Sequence, residues 1–239
     1  MSENVEEKTT KSFKVDLDNK ANQRILKLIA RYPNNQAYQV NEVVKKIEAA
    51  KKIYELIKNA KHSNDGIILN HNKIKEAFFS PFKPQLKSAQ AFLSHSHADK
   101  NKALEVKNYL ESETDHRVFV DSLFWDYKDD VLNELAEYDD TSKIKDAFTL
   151  ILRESLEDMI KKCPYFVFLQ SKNSVSNQGL SQITHSAWIY EELKITHSIS
   201  NKSRLTIAME SFQVSHNISP FLEHLETITL SELSHIINS

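Results

Sequence analysis

Glycine is nearly absent: the 239 residues contain two, Gly66 and Gly179. A phosphate site built on a glycine-rich loop, whether P-loop or dinucleotide fingerprint, is thereby excluded. Any nucleotide bound here must be held by side chains and helix N-termini. Cysteine occurs once, at Cys163, so no disulfide can close within the chain. Beside the apolar run 165–169, that thiol reads as inert and part-buried. Long apolar runs are missing too, since none approaches the roughly 20 residues that span a bilayer. The opening residues Met1-Ser2-Glu3-Asn4-Val5-Glu6-Glu7 are polar and acidic, unlike a secretory signal. No strong charge of either sign accumulates: the formal net charge is −2, which argues against a dedicated nucleic-acid surface. The expectation is a cytoplasmic globular protein whose partner is neither membrane nor nucleic acid.

What is present divides into three segments. Residues 1–20 are charged and lack helical periodicity, so they read as a flexible tail. Residues 21–88 read as a small helical N-terminal region. Asn22 to Ala30 has helical spacing, and Val40, Val43, Val44, Ile47, Tyr54 and Ile57 recur at steps near 3.6. Pro33-Asn34-Asn35 separates the two helices, and 61–87 reads as a linker packed through Phe78, Phe79 and Phe82. From 89 to 239 the pattern alternates between strand and helix. Short apolar strands are expected at 89–93, 117–120, 165–169, 204–208 and 227–230, with helices at 100–110, 148–160 and from Ala187. The stretch 121–143 reads as a long acidic loop. Five strands with helical or long connections imply an α/β, flavodoxin-like five-stranded parallel sheet flanked by helices.

Two places carry candidate chemistry. In Ser186-Ala187-Trp188-Ile189-Tyr190-Glu191-Glu192-Leu193, Trp188 and Glu192 stand four residues apart and share a helix face. A carboxylate there, in a helix that follows a strand, can point at the strand ends where α/β sheets bind ligands. Glu191 falls on another face and reads as solvated. The second place is Phe92-Leu93-Ser94-His95-Ser96-His97-Ala98-Asp99. As His-x-His-x-Asp it looks like a metal-binding turn of metallo-hydrolases. The position where that signature needs a further histidine is Lys100, so no metal is assigned. Asp99 is placed to cap the helix after it.

Ser-x-Trp-x-x-x-Glu-Leu at 186–193 resembles the third-helix signature of Toll/interleukin-1 receptor (TIR) domains. Phe92-Leu93-Ser94-His95-Ser96-x-x-Asp99 resembles their opening box, and Val118-Phe119-Val120-Asp121 the second strand of bacterial stand-alone TIR proteins. The resemblance covers about residues 89 to 230. It implies cleavage of NAD as substrate, with no further cofactor, releasing nicotinamide and ADP-ribose or a cyclic ADP-ribose species, in bacterial antiviral defence or signalling. Glu192 would be the catalytic carboxylate. Ser94, His95 and Ser96 would lie along the substrate path, with Trp188 beside the carboxylate and Asp121 and Trp125 on the loop side. It also implies a homo-oligomer through TIR–TIR contacts and an effector or sensor partner. The alternative is a non-catalytic TIR assembly or adaptor module, because fold alone does not settle function.

Overall fold

The computed structural model describes residues 10–29, 42–63, 66–68, 70–79, 88–136, 145–201 and 215–239. In chain order the first elements are β1 (Lys11–Asp16), α1 (Lys20–Ile29), α2 (Glu42–Lys58), β2 (Lys61–Ser63), β3 (Gly66–Ile68), α3 (His71–Phe79) and β4 (Ala89–Ser94). There follow α4 (Lys100–Thr114), β5 (Arg117–Val120), α5 (Asp121–Ala136), α6 (Lys145–Lys162), β6 (Tyr165–Gln170), β7 (Ser176–Gln178) and β8 (Ser181–Thr184). The last are α7 (Ala187–Asn201), β9 (His216–Asn217), α8 (Ser219–Leu222), β10 (Glu226–Thr227) and α9 (Leu230–Asn238). They form two compact units. One comprises Met1–Pro33, Ser88–Asp121 and Met159–Ser239, the other Asn34–Lys87 and Ser122–Asp158. The division is discontinuous, unlike the three successive segments suggested by the sequence.

The first unit is α/β and flavodoxin-like, built on a parallel five-stranded sheet in the order β10-β1-β6-β4-β5. The central strand β6 is buried along Phe166–Leu169, as a continuous apolar run covered on both faces requires. Phe92 pairs with Phe119 on one side and Phe166 on the other. Their rings stack at 5.6 and 5.9 Å across the sheet, and paired residues share a face. Helices α1, α4 and α9 pack against one another, and α7 packs with α8 and β8.

The expected tail at 1–20 is corrected by β1. Lys11–Asp16 lies inside the sheet, in register with all of β6 and with β10 beyond it. Phe13, Val15 and Leu17 are buried, a period-2 alternation embedded among charged residues. The strand expected at 204–208 lies outside the described residues. The last strand is confined to Glu226–Thr227, because Thr229 caps α9 in a capping box with Glu232, which turns Leu230 into helix. A further correction concerns 121–143: Asp121–Ala136 is helix, not loop. No glycine or proline interrupts it, and Val131 and Leu135 supply a buried i, i+4 pair.

In the second unit, α2 packs on α3 through buried Ala49, Ala50, Ile53 and Ile57 on one side and Ile74, Ala77 and Phe78 on the other. The segment expected as a linker thus contains the β2–β3 hairpin and α3. Phe78 and Phe79 are buried as expected, while Phe82 lies outside the described residues. Among the described residues no helix is long and apolar enough to cross a membrane.

Candidate functional site

The chain steps from β4 outward to β5 and then returns to β6 on the other side of β4. The carboxyl ends of β4 and β6 therefore flank a topological switch point, the place where open parallel sheets bind ligands. Ser94 ends β4 there. It is fully buried, and its hydroxyl donates to Oε2 of Glu192 at 2.5 Å. Glu192 is also fully buried, on the second turn of α7. That helix starts where the sequence provides a cap: the Ser186 hydroxyl accepts from the Ile189 N–H at 3.3 Å, and its carbonyl accepts from the Tyr190 N–H. Thr196 donates to the Glu192 carbonyl at 2.8 Å. Trp188, one turn before Glu192, is half-buried.

Glu191 corrects the sequence reading. It is buried, not solvated, because every residue from Glu191 to Thr196 is buried. Along that stretch the helix has no solvated face to assign.

His95 and Asp121 form a second pair at the neighbouring strand ends. Asp121 follows β5 and opens α5; His95 follows β4. His95 Nε2 lies 2.8 Å from Asp121 Oδ1, and the His95 backbone N–H donates to Oδ2 at 3.2 Å. The other ring nitrogen, Nδ1, faces the Ser96 carbonyl at 2.6 Å. Oxygen atoms facing both nitrogens favour the protonated ring. Burial by itself lowers its pKa, but the Asp121 charge, the hydrogen bonds to Asp121 and Ser96, and the Asp99 charge together raise it. Ser96 is half-buried, and its carbonyl also accepts from the Asp99 N–H. Trp125 falls on α5, but its side chain lies outside the described residues.

The structure thus joins Ser94 to Glu192 and His95 to Asp121, and adds a third connection. Asp99 stands at the N-terminus of α4 without making a side-chain cap. Its carboxylate is turned instead across the switch point, accepting from the Ser171 hydroxyl and, at 2.9 Å, from Asn173 Nδ2. Lys102 Nζ approaches Asp99 Oδ1 at 3.4 Å. The signal for this was the polar run Ser171-Lys172-Asn173-Ser174 directly after an apolar strand, where a turn with side-chain hydrogen bonds belongs. His95 and Asp99 therefore face different partners while His97 is exposed. Among the described residues no group of three or more metal-capable side chains comes together.

Chemically, a carboxylate oriented by a hydroxyl at a strand end can hold a sugar hydroxyl or stabilise a developing positive charge. The His95–Asp121 pair stands at the neighbouring strand ends, after β4 and β5. Since Glu192 is fully enclosed, a ligand reaches it only when a neighbouring segment moves. Comparison of the chain with family models, with curated proteins and with solved structures finds no match.

Proposed function

We propose that the chain cleaves the glycosidic bond between nicotinamide and ribose in NAD, with Glu192 as the catalytic carboxylate. The observation that carries this reading is the Ser94–Glu192 hydrogen bond, which sets a carboxylate at the β4 end beside the switch point. Nicotinamide is a cationic leaving group, so the reaction needs no strong general acid. It needs an anion beside the sugar as oxocarbenium character develops. Ser94 orients that anion, and Trp188 one turn away limits water. The TIR resemblance supports the same assignment, and with it a homo-oligomeric form with an effector or sensor partner in bacterial defence or signalling. The product is ADP-ribose or its cyclic form.

The enclosure of Glu192 favours a second reading, in which the carboxylate is a structural tie and the chain is an assembly or adaptor module. Incubating the purified chain with NAD, dilute and under forced oligomerisation, separates the two. Catalysis predicts nicotinamide release that falls at least about a hundredfold in Glu192→Gln, the scale of losing one transition-state electrostatic contact. Turnover equal to wild type in that variant removes Glu192 from the chemistry. Absence of nicotinamide in every assembly state, with concentration-dependent self-association in sedimentation, supports the adaptor.

A further inference from the structure

A cavity of about 220 Å³ lies away from the strands' carboxyl ends, between β1, the later half of α7 and the segment containing α8. Ser12 reaches it from the second residue of β1, paired with the second residue of β6. Leu193, Thr196 and His197 line it from α7, and the Thr196 hydroxyl already donates to the Glu192 carbonyl. Opposite stand Phe221, His224 and Leu225. The His197 ring is 5.5 Å from Phe221 and 4.7 Å from His224, tilted at 60° and 45°. His224 is exposed and forms the rim, whereas Ser12 Oγ is buried and has no hydrogen-bond partner among the described residues.

We infer that this cavity binds a small uncharged heteroaromatic molecule, packed against the His197, Phe221 and His224 rings with a polar ring atom hydrogen-bonded to Ser12. Three observations converge on that class. A buried hydroxyl left unmet is destabilising, and a ligand atom that meets it relieves the deficit. Three rings at mutual tilts form the edge and face surfaces that an aromatic guest prefers. Among the described lining residues none is an acid, lysine or arginine, so a charged guest finds no counter-charge. His197 adds none at neutral pH, because burial, and then the neighbouring His224, lower its pKa. Size sets the upper limit. A dry cavity of about 150 Å³ accepts benzene, so this one has room for a fused pair of rings but not for a nucleotide.

Benzimidazole titrated into the full ¹⁵N-labelled chain tests the assignment, read at the His197 and His224 ring resonances and the Ser12 amide. The expected result is saturable shifts with a dissociation constant of about 1 mM or tighter. Ser12→Ala should weaken binding about fivefold, the worth of one hydrogen bond. Leu225→Phe should fill the cavity and abolish binding while the chain still melts cooperatively. His224→Ala, at an exposed position, should cost a similar fivefold through the lost ring contact and decides the matter if Leu225→Phe fails to fold. The assignment is overturned by absence of saturable shifts, by unchanged affinity in both Ser12→Ala and His224→Ala, or by benzoate binding as tightly as benzimidazole. Zinc chloride shifting the two histidines while benzimidazole does not would also overturn it, marking a cation site. Glu192→Gln should bind the probe like wild type, so this test stands apart from NAD cleavage.

Discussion

Asp121 holds His95 twice, through the ring at 2.8 Å and through the backbone N–H at 3.2 Å, with both side chains almost wholly out of solvent. The consequence is a pH dependence of known sign. The His95 pKa is raised in the folded chain above its ordinary 6.5, so the pair's stabilisation is fully present below that value. It is lost as pH rises through the elevated folded pKa. Urea denaturation of wild type from pH 6 to 9 should show stability falling over that interval, and Asp121→Asn should flatten the slope. His197 shifts the other way, so the difference between the two proteins is the quantity to read. Asp121→Ala should cost about 3 kcal/mol, since it leaves a buried partner uncompensated.

Glu192 and Ser94 make a second stability prediction independent of catalysis. Glu192→Ala deletes a fully buried side chain and strands the Ser94 hydroxyl, for a loss of about 3 kcal/mol. Glu192→Gln keeps an acceptor and nearly the same volume, and should cost about 1 kcal/mol. Equal midpoints for wild type and Glu192→Ala in thermal melts would show that the contact is not maintained in solution.

Asp99 should act as a fastener between two loops. Asp99→Ala removes the acceptor for both Ser171 and Asn173, at a cost of about 1–3 kcal/mol. The turn 171–174 should then exchange its amide hydrogens faster, while the protection of β4 and β6 is kept. Hydrogen exchange read by mass spectrometry distinguishes this local loosening from a global loss of stability.

β1 makes the most discriminating prediction about the fold. Val15 is fully buried, and Val15→Ala should cost about 2 kcal/mol. A chain lacking residues 1–19 loses the strand between β6 and β10 and should show no cooperative melting transition. Cooperative folding of that truncated chain would return β1 to the status of an appendage.

Much of the sheet was legible in the sequence because apolar runs bounded by turn residues have few other uses. Ala89–Ser94, Arg117–Val120 and Tyr165–Gln170 fall where such runs predict strands. The helix bearing Glu192 also starts at Ala187, as expected. β1 was illegible by composition but not by pattern: Lys11, Lys14 and Asp16 masked the alternation of Phe13, Val15 and Leu17. Charge misled again at Asp121–Ala136, where acidic residues looked like loop although the stretch lacks any helix breaker. Burial of Glu191 could not be read at all, because it depends on what covers α7. The partners of Asp99 lie 72 and 74 residues away, a distance that local spacing does not encode.

The placement of β1 also bears on how the chain is made. Its neighbours in the sheet begin at Tyr165 and Glu226, so a ribosome that has just released Asp16 must deliver more than two hundred further residues before that strand has both partners. Ordering so remote is slow, and it leaves an unpaired strand waiting. A nascent chain of this kind gains from a holdase early in synthesis, and stalling it anywhere before Glu226 leaves β1 without its β10 partner.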